Sequence, residues 1–211
     1  MEIIPVINCP DRVCVEKIIA SAKTFLHAGN WVHLDVTDGI FSIHPTWHDP
    51  AALAGMKTPF NFEVHLMVTH PENLVASWLD AGAKRIIVHV ETITPASAQT
   101  ILALCREKGA EAMLASNLET PIEALASYRD LFSGFLVLAV HPGPAGQSFN
   151  PLVLEKIKAL RQEGAIMEVD GGMNPLTAKL AKDAGANIIA SGAYIFNASD
   201  PGKAYEELRN I

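Results

Sequence analysis

The sequence predicts a single-domain (β/α)8 barrel spanning residues 1–211, and three observations point to it. Eight short apolar runs, rich in β-branched residues, alternate with longer amphipathic segments along the whole chain. Most of these runs are apolar throughout rather than alternating, as expected of parallel strands covered on both faces. No Ser/Pro-rich linker or charge run interrupts the series. A doubly wound open sheet is the rival architecture. It normally uses fewer strands, and no Gly-x-Gly-x-x-Gly follows the first run to suggest dinucleotide binding.

The first run is Glu2–Asn8. Behind it, Asp11 to His27 sets Val15, Ile18, Ile19, Ala22 and Phe25 on one helical stripe that stops at Ala28-Gly29. The second and third runs are Trp31–Asp35 and Asn61–Met67. Pro71 to Asp80 opens with proline in a first helical turn and ends at Ala81-Gly82. The fourth run, Arg85–Val90, precedes a helix from Thr94 to Lys108 closed by Gly109. Glu111–Ala115 and Gly134–Val140 are the fifth and sixth runs. A helix from Pro151 to Glu163, ended by Gly164, leads to the seventh, Ala165–Asp170. Asn174 to Asp183, with Pro175 just inside, stops at Ala184-Gly185 before the eighth, Asn187–Ser191. Three helices thus end in the same Ala-Gly element before a strand.

Composition narrows the function classes. The chain is 49% hydrophobic and only 18% charged, with a net charge of −7, so its surface should repel nucleic acid and anionic membranes. No apolar run approaches the roughly 20 residues of a membrane span, and Met1–Asp11 lacks the basic and apolar regions of a signal peptide. Three cysteines (Cys9, Cys14 and Cys105) are too few for a disulfide framework and predict a reducing, cytoplasmic location. Cys9 is expected to be a buried structural thiol near the top of the first strand. Oligomeric state stays open, a homo-oligomer included.

Active sites of this fold lie at the C-terminal ends of the strands. The second run closes with Val32-His33-Leu34-Asp35-Val36-Thr37-Asp38-Gly39, and residues two apart on a strand share a face, which pairs His33 with Asp35. The third closes with Glu63-Val64-His65-Leu66-Met67, the seventh with Glu168-Val169-Asp170-Gly171-Gly172. Singly, each has a plain structural reading as a hydrogen-bonded pair, a satisfied core histidine or a turn cap. Together, four ligand-type side chains at the strand ends of one barrel are costly to bury unpartnered. Two histidines and two aspartates make a nitrogen and oxygen site for one divalent ion, and Zn, Fe(II), Mn and Co all suit it.

A second constellation concerns anions. His141-Pro142-Gly143-Pro144-Ala145-Gly146-Gln147-Ser148-Phe149 follows the sixth run, Gly171-Gly172 the seventh and Ser191-Gly192-Ala193 the eighth. Glycines let backbone N–H groups approach an anion closely, and loops after strands 7 and 8 are the usual phosphate grip of this barrel. A Pro/Gly loop can be merely a loop. Three of them side by side, next to a metal site, predict a small phosphorylated substrate.

These motifs resemble the ribulose-phosphate 3-epimerase family, in order and over essentially the whole chain. The carriers are the blocks at 33–39 and 63–68, His89-Val90-Glu91, Val140-His141-Pro142-Gly143, Gly146-Gln147-Ser148-Phe149, and Glu168-Val169-Asp170-Gly171-Gly172-Met173-Asn174. The resemblance implies a metal held by His33, Asp35, His65 and Asp170, with Asp35 as proton acceptor and Asp170 as proton donor. It also implies substrate and phosphate contacts at His65, Met67, Gly143, Pro144, Ala145, Gly146, Gly171, Gly172, Gly192 and Ala193. The implied reaction interconverts D-ribulose 5-phosphate and D-xylulose 5-phosphate in the pentose phosphate pathway, through a metal-stabilised enediolate.

The chain departs from the family pattern at several walls. Val6 stands where the family carries serine, and Thr37 and Leu138 replace methionines. His141 replaces asparagine and Ala193 replaces serine, while Ile40-Phe41-Ser42-Ile43-His44 replaces a His-Phe-Val-Pro-Asn stretch. Val6, Thr37 and Leu138 are expected to line the region that selects the sugar. Epimerisation of a hexulose phosphate such as allulose 6-phosphate is therefore a rival reading. A non-catalytic sugar-phosphate binder is another, although a binder has no need for two opposed carboxylates.

Overall fold

The computed structural model describes residues 1–161 and 164–211. Eight parallel strands close into a barrel in chain order: β1 (Glu2–Ile7), β2 (Trp31–Thr37), β3 (Asn61–Met67), β4 (Arg85–His89), β5 (Glu111–Ser116), β6 (Gly134–Leu138), β7 (Ile166–Asp170) and β8 (Ile188–Ser191). The helices are α1 (Arg12–Ala22), α2 (Pro50–Gly55), α3 (Val75–Asp80), α4 (Pro95–Lys108), α5 (Glu123–Ala126), α6 (Val153–Leu160), α7 (Pro175–Ala184), α8 (Ala193–Phe196) and α9 (Pro201–Arg209). Among the described residues, no helix is long and apolar enough to cross a membrane.

Register decides which residues fill the barrel. Asp35 pairs with His65, His65 with Ile87 and Ile87 with Met113, while across the seam Leu138 pairs with Asp170 and Asp170 with Ala190. Strand partners in register project to the same side. The alternate set, including Leu34, Val64, Leu66, Val88, Val137 and Val169, faces outward into the main apolar core beneath the helices. Both faces are thus covered, which is why the runs read as apolar throughout. Inside, β4 to β6 supply an apolar cluster of Ile87, Met113, Ala115, Leu136 and Leu138. The β2, β3 and β7 side carries buried His33, Asp35, Glu63, His65, Glu168 and Asp170 instead.

Local chemistry sets the helix limits. Thr94 caps α4 and Asn174 caps α7 through reciprocal capping boxes with Ser97 and Thr177. Gly109 and Gly185 end the same two helices in the left-handed conformation. The expected run from Asp11 to His27 ends earlier, at Ala22, because Phe25 turns away to pack on Phe196 and Tyr205. Pro71 to Asp80 divides into one 3-10 turn and the short α3. Glu163, the expected end of the helix after Pro151, lies outside the described residues, and α6 is described to Leu160.

One expectation is overturned. Cys9 is not a free thiol: it forms a disulfide with Cys14, at a Cα separation of 5.6 Å. The turn from β1 into α1 brings the two together over five residues, a purely local pairing that counting cysteines does not reveal. Only Cys105 remains free, on the buried face of α4, and burial pushes its thiol up to about 11.

Candidate active site

The C-terminal rim of the barrel opens into a cleft of about 400 Å³, within the range of small-molecule sites. Asp35 and Asp170 lie on its floor; Val6, Asn8, Met67 and Leu138 line its wall. The loop from Val140 to Gln147, then Gly171, Gly172, Gly192 and Ala193, complete it. Every residue expected to meet substrate is therefore present except His65, which is fully buried behind Asp35. Thr37 is also missing from the wall. It is fully buried, and its hydroxyl donates to the His44 carbonyl while its N–H donates to Thr46 Oγ1 at 2.9 Å, so it fastens the loop after β2. Val6 and Leu138 do face the cleft, and His141 stands exposed at its mouth, 3.4 Å from Glu119.

Four side chains converge as the sequence predicts. One ligand atom from each of His33, Asp35, His65 and Asp170 lies within 4.8 Å of the others. His33 Nε2 is 3.1 Å and His65 Nδ1 3.2 Å from Asp35 Oδ1. The remaining ring nitrogens are held from behind. His33 Nδ1 pairs with Glu63 Oε1 at 2.7 Å, and His65 Nε2 with His89 Nε2 at 2.8 Å. Two imidazoles and two carboxylates, each imidazole oriented through its other nitrogen, fit the donor set of a divalent transition ion.

Charge is distributed unequally over this cluster. Burial works to raise the Asp35 carboxyl, but hydrogen bonds with His33 and His65 overcome it and hold Asp35 well below the ordinary carboxylate range. Asp170 lacks such partners. Burial, followed by the negative charge of Asp35, pushes it up to about 7. Burial pulls His65 down to about 4 against the hydrogen bond that its Nδ1 makes to Asp35. His33 goes the other way: despite burial, Asp35, Glu168 and Glu63 raise it well above the usual imidazole value.

Below the cluster runs a set of ions that the sequence reading passed over. Glu63 Oε2 accepts from Arg85 Nη1 at 2.5 Å, and Arg85 Nε donates to Glu111 Oε2 at 2.7 Å. Glu168 is fully buried, with Oε1 3.2 Å from His33 Nδ1, and burial followed by the charge of Glu63 pushes it up to about 8. The available signal was parity: Glu63 and Glu168 stand two residues before His65 and Asp170, hence on the same inward face. Asn8 was also missed. It follows β1 directly, two residues after Val6, and its side-chain amide donates to Asp35 Oδ2 at 2.8 Å and to the Gly143 carbonyl at 3.0 Å.

The glycine loops are tightly constrained where they meet the cleft. Gly171 has φ +103°, and a Cβ there would come within 2.5 Å of Val140 Cγ2. Gly172 has φ +67°, and a Cβ there would strike the Phe149 backbone. Only glycine fits both positions.

A closed (β/α)8 barrel with two carboxyl groups and two histidines at the C-terminal rim of its strands, beside glycine loops, is the architecture of a (β/α)8-barrel enzyme. The chain belongs to the ribulose-phosphate 3 epimerase family, whose model matches residues 8–196, and it is an isomerase of the epimerase type. It is 38% identical to the ribulose-phosphate 3-epimerase of Synechocystis sp., over 86% of this chain and 82% of that one. The Schizosaccharomyces pombe enzyme of the same name is 32% identical, over 99% and 92%. The cytoplasmic isoform of Oryza sativa is 34% identical, over 91% and 87%. Among solved structures, 3-hexulose-6-phosphate synthase shares the fold with a TM-score of 0.75 at 16% identity, covering 100% of this chain and 99% of that one. KGPDC from Streptococcus mutans in complex with D-R5P does so with a TM-score of 0.77 at 12% identity, covering 99% and 95%.

Proposed function

We propose that the chain acts as one catalytic domain that interconverts D-ribulose 5-phosphate and D-xylulose 5-phosphate, with Asp35 taking the C3 proton and Asp170 returning one. A single observation carries this reading. Asp35 from β2 and Asp170 from β7 reach one cleft floor, and in the metal-free protein their surroundings push them apart, Asp35 below the ordinary carboxylate range and Asp170 up to about 7. Environments that push two such groups apart mark the base and the acid. Asp35 removes the proton next to the C2 carbonyl, leaving an enediolate, and the proton on Asp170 is delivered to C3 from the other carboxyl. The product emerges with the configuration at that carbon inverted, leaving Asp35 protonated and Asp170 ionised; this is the state for the reverse reaction, and proton exchange with solvent restores the starting state for another forward turnover.

His33, Asp35, His65 and Asp170 would hold one divalent ion, Zn, Fe(II), Mn or Co. When bound it would supply Lewis-acid polarisation of the carbonyl and offset the charge that develops there. The chain's own contribution is orientation: Glu63 and His89 fix the two imidazoles, and the loops at Gly143–Gly146, Gly171-Gly172 and Gly192-Ala193 receive the phosphate. The D-R5P named with the Streptococcus mutans structure supports a phosphorylated sugar in this fold. The rice relative, named as cytoplasmic, supports the same compartment here.

Proton NMR in D2O tests the reading, with D-ribulose 5-phosphate and allulose 6-phosphate as separate substrates. Deuterium entering C3 as the xylulose epimer grows, faster than on the hexulose and abolished by chelator, is the expected result. Faster exchange on allulose 6-phosphate would reassign the substrate. No exchange on either, after metal is supplied, would overturn the activity.

A further inference from the structure

We infer that Asn8 is a positioning residue that couples the phosphate loop to the base. This rests on the reading of Asp35 as proton acceptor. Both amide hydrogens of Asn8 are committed. One goes to Asp35 Oδ2 at 2.8 Å, the other to the Gly143 carbonyl at 3.0 Å. The opposite carboxylate oxygen, Oδ1, is the one that meets His33 and His65. Asn8 is therefore the contact that fixes the free oxygen of Asp35, the one left to approach a substrate proton.

Its second partner belongs to the loop that lines the other side of the cleft, and that loop is otherwise held by few contacts. Ser42 Oγ donates to the Pro142 carbonyl at 3.0 Å, and Gln147 Nε2 ties His141 O and Pro144 O together at 2.7 and 2.9 Å. Neither of these reaches the catalytic carboxyls. Among the described residues, the Asn8 amide is the only side-chain hydrogen-bond link between this loop and Asp35. When a phosphate settles on the loop and fixes the Gly143 peptide, Asn8 transmits that order to Asp35. Binding energy from the non-reacting end of the substrate is thereby used to orient the base. Val6, two residues earlier on the same face, cannot hydrogen bond at all, so Asn8 is the polar group that β1 brings to the site.

The test separates the substrate into two pieces. The metal-supplied protein is given D-ribulose, which lacks the phosphate, and C3 deuterium exchange is followed with and without inorganic phosphite. In the native protein, phosphite should accelerate exchange at least about tenfold. In Asn8→Leu, which fills the same space without a donor, the ratio of the rates with and without phosphite should fall about tenfold, as expected for losing one hydrogen bond to a charged group. On D-ribulose 5-phosphate the same variant should lose kcat by more than it raises KM. Asn8→Ala serves if the leucine variant does not fold, as judged by circular dichroism. An unchanged ratio in a folded variant, or no phosphite effect in the native protein, overturns the coupling. Asp35→Asn, run alongside, isolates the underlying reading: full exchange in that variant means Asp35 is not the base, whereas a dead Asp35→Asn with an unchanged Asn8 ratio removes the coupling alone.

Discussion

The Nε2 atoms of His65 and His89 lie 2.8 Å apart in the barrel interior, with their rings stacked 5.0 Å centre to centre. Of two facing ring nitrogens, one must donate and the other accept. Glu91 Oε2, 3.1 Å from His89 Nδ1, settles which. It accepts a hydrogen bond from His89 Nδ1, which leaves His89 Nε2 as acceptor and has His65 donate from Nε2; with an ion bound, His65 Nδ1 would present its lone pair to the ion in place of the hydrogen bond it makes with Asp35 in the metal-free protein. Glu91 is itself anchored by the Asn117 N–H at 2.8 Å and by the Thr120 hydroxyl, and burial notwithstanding, His89 and these donors pull its carboxyl down to about 2. Breaking this chain with His89→Phe should weaken cobalt binding about 10–100-fold. Titration of the metal-free protein with Co(II), followed by its d–d absorbance, would show it, and an unchanged affinity would discard the relay.

Asp35→Asn and Asp170→Asn should each reduce turnover about 10²–10⁴-fold, the usual share of a positioned acid or base. Both variants should keep the far-ultraviolet circular dichroism of the barrel, because an amide replaces each carboxyl at nearly constant volume. Wild-type turnover in either one would remove that residue from the proton transfer.

Stability of the metal-free protein should decline with rising pH. Asp170 and Glu168 hold protons in the fold up to about 7 and about 8, against 3.8 and 4.5 for the free side chains. Over that window the native state binds more protons than the unfolded chain, so raising the pH favours unfolding. Asp35 acts in the opposite sense: its contribution is present above 3.8 and is lost as pH falls through its depressed value. The thermal midpoint in chelator should therefore drop between about pH 5 and pH 8, and supplying metal should remove the Asp170 share of that drop. A midpoint that rises across the same interval would contradict the assignment of the two raised carboxyls.

The Cys9–Cys14 bridge closes a very short loop. Its removal by Cys14→Ser should lower stability by about 2 kcal/mol on chain entropy alone. That corresponds to a fall of about 4–8 °C in the thermal midpoint of a protein this size. Calorimetry of the native protein with and without reductant provides the comparison, and identical midpoints would mean the bridge contributes nothing to the fold.

Much of this molecule is legible in its sequence, for definite reasons. Continuous apolar runs report strands buried on both faces, and all eight expected strand starts fall within one residue of the observed ones, because turn residues bracket them. His33, Asp35, His65 and Asp170 were readable because each sits on the inward parity near a strand end. The short helices α2, α5 and α8, at 6, 4 and 4 residues, are too brief to show a stripe. Thr37 was misplaced for another reason. It follows Asp35 by two on the inward parity, but the loop after β2 folds over it and claims its hydroxyl. Asn8, Glu91 and Arg85 act through contacts between different strands and the loops that follow them, and those neighbours are a property of the closed barrel rather than of any one segment.

The line of charge from Asp35 through His33, Glu63 and Arg85 to Glu111 crosses the barrel from the cleft floor to a partly exposed carboxylate. In this half of the molecule the packing that closes the cylinder and the framework that would aim the proposed acid and base are one and the same set of atoms. There is no inert foundation beneath the chemistry. A change at Glu111, remote from the cleft, bears on the ladder that steadies the rim, and on the proposed reading replacing an inner rung with an apolar residue would alter catalysis even if the barrel became sturdier. Selection for robustness and selection for turnover therefore meet on the same few side chains.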